Sequence, residues 1–303
     1  MSASTLHQPA LRPMRDPSVA AALGRRRKRV DLFIRWFCLA ATAIGLFFLA
    51  SILLTLAWRG LEAMGINIFT RSFEPTRYGD DTLPEGGLLN AITGSLMQVT
   101  LATVVGTPLG LLVGTYLAEY ARNSALGNIV RFVSDVLLSA PSILIGLFIY
   151  QLVVLPMGGF SGLAGALALA IIIIPVVVRT TEDMLQLIPN TLREAVVGLG
   201  APKWKMIVLV CYKAALSGIV TGVLLAIARV AGETAPLLLT SFGNNLVTFD
   251  LTNAMASLPI SIYQQANSGF PDLTAIAWSG ALITTLAVLA INVVARTLLR
   301  SKL

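Results

Sequence analysis

The chain has 303 residues, of which 56% are apolar and only 12% charged, with a mean hydropathy of +0.80. A soluble domain carries roughly twice that charge to solvate its surface, so the composition excludes one and makes lipid part of the solvent. The net charge of +7 does not point to nucleic acid: seven of the 22 Lys and Arg precede the first apolar run, five in RRRKR at 25–29, the pattern of a flank facing anionic lipid.

Residues 1–30 are polar, basic and proline-bearing, and read as a disordered leader. The apolar run 31–58 is too long for a signal-peptide core and reads as a retained first transmembrane helix, with Arg35 snorkelling to the headgroups. Residues 59–90 form an acidic, turn-rich loop containing FEPTRYGDDTLPEGG. A core of five further helices fills 91–297: helices at 91–118, 130–154, 162–180, 210–235 and 273–297, with a polar segment at 181–206 and a tail at 298–303. The expected fold is an all-α polytopic membrane protein of six transmembrane helices.

Six spans put both termini on one side. On that reading sixteen Lys and Arg share the side of the termini, and the opposite loops hold only Arg59, Arg71 and Arg77. The positive-inside rule therefore makes both termini cytoplasmic. Pro108, Pro141, Pro175 and Pro236 fall within or at the end of apolar helices. They read either as tolerated kinks or as marks of broken helices lining a pathway.

Several chemistries are not provided for. The only histidine is His7, in the leader, so histidine-built metal sites and His-assisted nucleophiles are not expected. Cys38 and Cys211 lie far apart in or beside apolar runs and read as packing residues. None of the five lysines follows a glycine, so the chain has no G-K-[ST] phosphate loop. We expect no catalytic residue, no metal and no cofactor in this chain.

The polar segment TTEDMLQLIPNTLREAVVGLGAPKWKMIVL carries the most specific signal. Glu194, Ala195, Val196, Gly200 and Ala201 are followed by the basic-aromatic cluster Lys203, Trp204, Lys205. Small residues on a short helix let another surface approach its backbone. The alternative is an interfacial helix with Trp204 in the aromatic belt and the lysines on lipid phosphate.

REAVVGLGAPKWK resembles the EAA loop of ABC-importer permeases, the cytoplasmic helix that docks on an ATP-hydrolysing subunit. Val196 stands where that family has a second alanine, and Tyr212-Lys213 where it has Leu-Pro. ARVAGETAPLL at 228–238 then resembles PstA-type permeases of phosphate-specific ABC importers. So, in the same order, do GLLVGTYLAEYA (110–121), APSILIGLF (140–148), IPVVVRTTEDML (174–185) and MASLPISIY (255–263). The resemblance implies the type I importer permease (MetI-like) fold and inorganic phosphate as substrate. It also implies three partners: a second, PstC-type permease chain, a PstB-type ATPase dimer carrying ATP and Mg, and an extracytoplasmic PstS-type phosphate-binding protein. The location it implies is the plasma (cell inner) membrane. Sulfate or molybdate importers are the nearest alternatives; a proton-coupled secondary transporter with Glu233 as carrier is one from another class.

Arg229 and Glu233 lie four residues apart in an apolar stretch expected to be one helix, hence on one face. Each charge costs about 2.5–3.5 kcal/mol at a membrane helix centre. Three readings justify them: a structural ion pair, a pathway arginine offering donors to a passing oxyanion while the carboxylate keeps binding weak, or a gate. Arg179 reads as an exit-side contact or as a positive-inside anchor beside Glu182 and Asp183.

Overall fold

The computed structural model describes residues 17–73 and 86–300. Residues 1–16, with His7, the acidic stretch 74–85 and the tail 301–303 lie outside the described residues. Among the described residues every regular element is a helix.

The chain divides into two units, Met1–Thr55 and Leu56–Leu303. The first contains most of α1 (Pro17–Glu62, 46 residues). Residues 17–30, expected in the disordered leader, are helical, because VAAALGRRRKR is rich in Ala, Leu and Arg, the strong helix formers. Cys38, expected to be a packing residue, is an exposed free thiol.

In the second unit, a single turn α2 (Asn67–Thr70) precedes α3 (Leu89–Glu119), which keeps its course through Pro108. Gly94, Gln98, Ala102, Gly106, Gly110, Gly114 and Ala118 recur every fourth residue and are buried. Gly94 meets the Met255–Ala256 segment, and the rest of the stripe packs on α6 (Gly162–Gln186), running in the same direction: Gly106 faces Ala170 and Ile173, Gly110 faces Val177, and Gly114 faces Thr181. A Cβ at Gly110 or Gly114 would lie only 2.7 Å from the facing Cβ. Small residues set the helix separation, as expected where lipid supplies no hydrophobic drive between helices. α6 contains Pro175 and is buried along most of its length, which explains its all-round apolar sequence.

The expected third helix, 130–154, is not one rod. α4 (Ala125–Ser139) and α5 (Ser142–Met157) bend by 104° at Ala140–Pro141. Proline disfavours helical backbone in the residue before it, and Ala140 is extended (φ −67°, ψ 136°). Pro141 thus precedes a new helix and lies within none.

A short helix, α7 (Asn190–Gly198), leads to α8 (Lys203–Val230), which contains a π turn at Ile207–Cys211. α8 runs antiparallel to α6, with Gly218 against Met184 and Gly222 against Thr180. It starts earlier than the expected 210 and stops at Val230, short of the expected 235. Pro236 supplies no N–H to Gly232 and opens the next helix, α9 (Ala235–Thr240), near its N-terminus. Pro236 is therefore a helix starter, not a kink.

The segment after α9 returns to cap α6, whose Ser161, Gly162 and Leu163 amides donate to the carbonyls of Thr240, Asn253 and Leu251. α10 (Leu258–Ala266) and α11 (Pro271–Arg300) complete the unit. α11 starts near the expected position and donates Ser279 Oγ to the Gly60 carbonyl at the end of α1 (3.2 Å). The main apolar cluster joins Ala102, Ile145, Leu169, Ile173, Ala226, Val230, Leu237 and Ile260 around α6.

Candidate functional site

Two groups of charges flank this core. The first lies at what we term the basic end, where α3 and α6 finish and α7 begins. α7 turns Glu194 and Ala195 outward, while Val196 is partly buried against the cluster of Leu185, Ile188, Met206 and Ile207. Gly200 ends the helix in the left-handed region (φ +81°). Its amide donates to the Val197 carbonyl and the Ala201 amide to the Val196 carbonyl, the two bonds of a Schellman stop. The motif glycine is therefore needed for backbone conformation. Ala201 is half-buried and Trp204 exposed, with the Lys205 ammonium 5.5 Å from its ring. Lys203 turns back onto its own chain: Nζ donates to the Glu119 carbonyl (2.6 Å) and lies 4.2 Å from the Tyr120 ring centroid.

Four charged residues that sequence reasoning did not single out for function converge here. Arg193 donates from Nη2 and Nε to Glu119 (2.8 and 3.2 Å), and to the Leu185 and Ile188 carbonyls. Its guanidinium is held above its ordinary value by the hydrogen bond to Glu119, against the opposing effect of burial. Arg131 of α4 donates to Glu182 of α6 (2.7 Å) and to the Leu117 and Ala121 carbonyls. The acids are 4% and 3% exposed, so both pairs are sealed. The sequence offered a weak signal, charges just inside the ends of apolar runs; their pairing is tertiary.

Arg179 does not use Glu182, which Arg131 occupies. It is half exposed and reaches Asp183 (3.4 Å) and Asp135 (4.0 Å). Tyr212, at the family's Leu-Pro position, exchanges a 2.5 Å hydrogen bond with Thr115 of α3, and its neighbour Lys213 is exposed.

The second group is Arg229 with Glu233, at the break between α8 and α9. Arg229 occupies the last turn of α8, and Glu233 lies beyond its end, so the two are not on one continuous helix as expected. Their closest atoms are 3.8 Å apart, with Arg229 48% and Glu233 16% exposed. The register of Gly218 on Met184 and Gly222 on Thr180 carries Arg229 to the level of residue 173, near the middle of α6. A half-exposed arginine at mid-depth needs water, a partner or an anion beside it. The helix after this break packs on α5: Gly146 of α5 meets Pro236 of α9. Arg179 lies about two turns nearer the basic end, and the structure does not bring it to Arg229.

Among the described residues, five helices long and apolar enough to cross a membrane, a proline-bent pair that adds a sixth if it crosses as one span, and interrupted helices beside them are the make-up of a multi-pass membrane protein. Residues 106–301 match the family described as binding-protein-dependent transport system inner membrane component. The phosphate transport system permease protein PstA of Pasteurella multocida (strain Pm70) is 54% identical over 256 residues, 84% of this chain and 89% of that relative. PstA of Haemophilus influenzae is 51% identical, with coverage of 86% and 90%, and PstA 1 of Mycobacterium tuberculosis (strain H37Rv) 37%, with 97% and 94%. Among solved structures, the inward-facing MetNI methionine ABC transporter matches with a TM-score of 0.57 at 18% identity, covering 71% of this chain and 94% of that chain. A bacterial alginate ABC transporter matches with a TM-score of 0.62 at 14% identity, covering 89% and 94%. The chain belongs to the binding-protein-dependent transport inner membrane component family and has the type I ABC importer permease fold.

Proposed function

We propose that this chain is the permease subunit of an ATP-driven inorganic phosphate importer in the plasma membrane, with both termini cytoplasmic. The phosphate assignment follows the relatives, phosphate transport permeases that this chain matches over most of their length. The observation that carries the mechanism is Arg229, half exposed at mid-depth beside a helix break. Its planar fork of N–H donors suits a tetrahedral oxyanion. Glu233, 3.8 Å away, lowers the local positive potential so that binding stays weak enough for release.

In this reading the pathway is completed by a second, similar permease chain, and a binding protein delivers phosphate from outside. The exposed Glu194, Ala195 and Gly200 of the α7 segment, with Trp204 beside them, dock on an ATPase subunit that binds ATP and Mg. Val196 and Lys203 face the chain's own core and α3, and so hold the docking surface in place. ATP binding draws the ATPase subunits together, the docking helices move, and the path switches between outward- and inward-open. Arg179, nearer the basic end, is an exit-side contact that shares its charge with Asp183 and Asp135. This chain couples motion to transport and performs no covalent chemistry.

The test is uptake in liposomes carrying the co-purified complex, with ATP on the ATPase side and binding protein on the other. Phosphate uptake exceeds sulfate and molybdate uptake, requires ATP, and falls about tenfold or more in an assembled Arg229→Gln complex. Sulfate or molybdate uptake without phosphate uptake overturns the substrate assignment. Uptake by this chain alone under a proton gradient overturns the importer reading. Undiminished uptake by Arg229→Gln returns the residue to a structural pair.

A further inference from the structure

Three cations from three separate segments close on the final turn of α3. The last carbonyls of any helix lack intrahelical partners and carry the negative end of its dipole. Here Leu117 and Ala121 receive Arg131 of α4, and the Glu119 carbonyl receives Lys203 from the start of α8. The Glu119 carboxylate receives Arg193 of α7.

Arg193 does more than pair. Its guanidinium is 12% exposed and also donates to the Leu185 and Ile188 carbonyls, where α6 ends. One side chain thus joins the docking helix to the ends of both α3 and α6, the two helices locked together by the glycine stripe. The segments flanking α7, residues 187–189 and 199–202, are short but non-helical and by themselves leave a pivot. Val196 packing, a long Arg122–Asn190 bond (3.4 Å) and Lys203 on the Glu119 carbonyl also brace that pivot, but the Arg193 fork is the one contact that reaches both α3 and the end of α6.

We infer that Arg193, seated on Glu119, is the positioning residue that makes the docking helix move as one body with α3 and α6, so that ATPase motion reaches the pathway undiminished. The inference rests on the docking role proposed above. It predicts that loss of the fork leaves ATP hydrolysis intact but disconnects it from transport.

The experiment measures phosphate imported per ATP hydrolysed by the reconstituted complex, for wild type, Arg193→Lys, Arg193→Gln, Glu119→Gln and the Arg193→Gln/Glu119→Gln double variant. Assembly is checked by size-exclusion chromatography. The expected result is assembled complexes that hydrolyse ATP, with the ratio reduced roughly tenfold in either Gln variant, the factor one charge-assisted hydrogen bond commands. The double variant is no worse than Arg193→Gln alone, which already removes the contact with Glu119. Arg193→Lys, which keeps the charge but not the fork, falls between. An unchanged ratio in assembled variants, additive defects in the double variant, or loss of assembly in every variant overturns the inference. Failure of the wild type itself to import phosphate with ATP overturns the proposed function instead.

Discussion

At the basic end Arg131 meets Glu182 at 2.7 Å and Arg193 meets Glu119 at 2.8 Å, each carboxylate nearly sealed from solvent. At mid-depth Arg229 stands 3.8 Å from Glu233, with its guanidinium half exposed. The two regions use the same residue types for opposite ends. Sealed charges with every guanidinium nitrogen bonded hold helix ends in one geometry, and removing one partner strands the other. A loose pair at a helix break, its arginine half exposed, fixes little and leaves donors free for something that passes. In a machine that converts motion into transport, the first arrangement suits the lever and the second the path.

The contrast can be broken by mutation, and the largest effect is expected at the lever. Glu182→Ala leaves Arg131 partly buried without its partner and costs about 3–5 kcal/mol, read as a lower unfolding midpoint of the purified protein in detergent. Next is a matched pair of glycines. Gly114→Ala places a Cβ 2.7 Å from the Thr181 Cβ and costs about 1–3 kcal/mol, whereas at Gly232 a Cβ meets nothing nearer than 3.9 Å and the change is close to neutral. Equal effects at the two positions in the same assay contradict the division into a packed lever and an open break.

Gly200→Ala forces a side chain into the left-handed region at φ +81° and costs about 1–2 kcal/mol. Fraying of α7 is then read as faster amide exchange at Val197–Ala201, along with weaker ATPase association. Arg229→Gln is expected to cost little stability, under about 0.5 kcal/mol, because Arg229 is half exposed and the pair is long. Its transport defect is nonetheless large. A variant that unfolds readily is evidence for a structural pair.

Much of the lever was legible in the sequence, though not its joints. The segment proposed to dock, its Glu-Ala start and its terminal glycine were visible in REAVVGLG, and so was the Arg229–Glu233 pair. The small residues at every fourth position from Ala102 to Ala118 stood in the sequence too, but were not singled out there as a helix-packing face. The break at Ala140–Pro141 and the end of α8 at Val230 were misplaced, because an apolar run with a proline is equally compatible with a kinked span and with two helices. The Arg193–Glu119 and Arg131–Glu182 pairs join residues 74 and 51 positions apart, and no local pattern specifies such partners.

The central claim is that the docking helix and the end of α3 travel together while the helix break rearranges. Its most direct test is a distance measurement by paired spin labels on exposed Thr191 of α7 and Asn123 beyond α3. The complex would have both native cysteines of this chain replaced by serine, and would be compared without nucleotide and with ATP bound. The account predicts a separation unchanged to within about 2 Å, while a label pair spanning Leu225 of this chain and the partner permease changes by more than that. A docking helix that swings relative to Asn123 by more than about 2 Å on ATP binding contradicts the account.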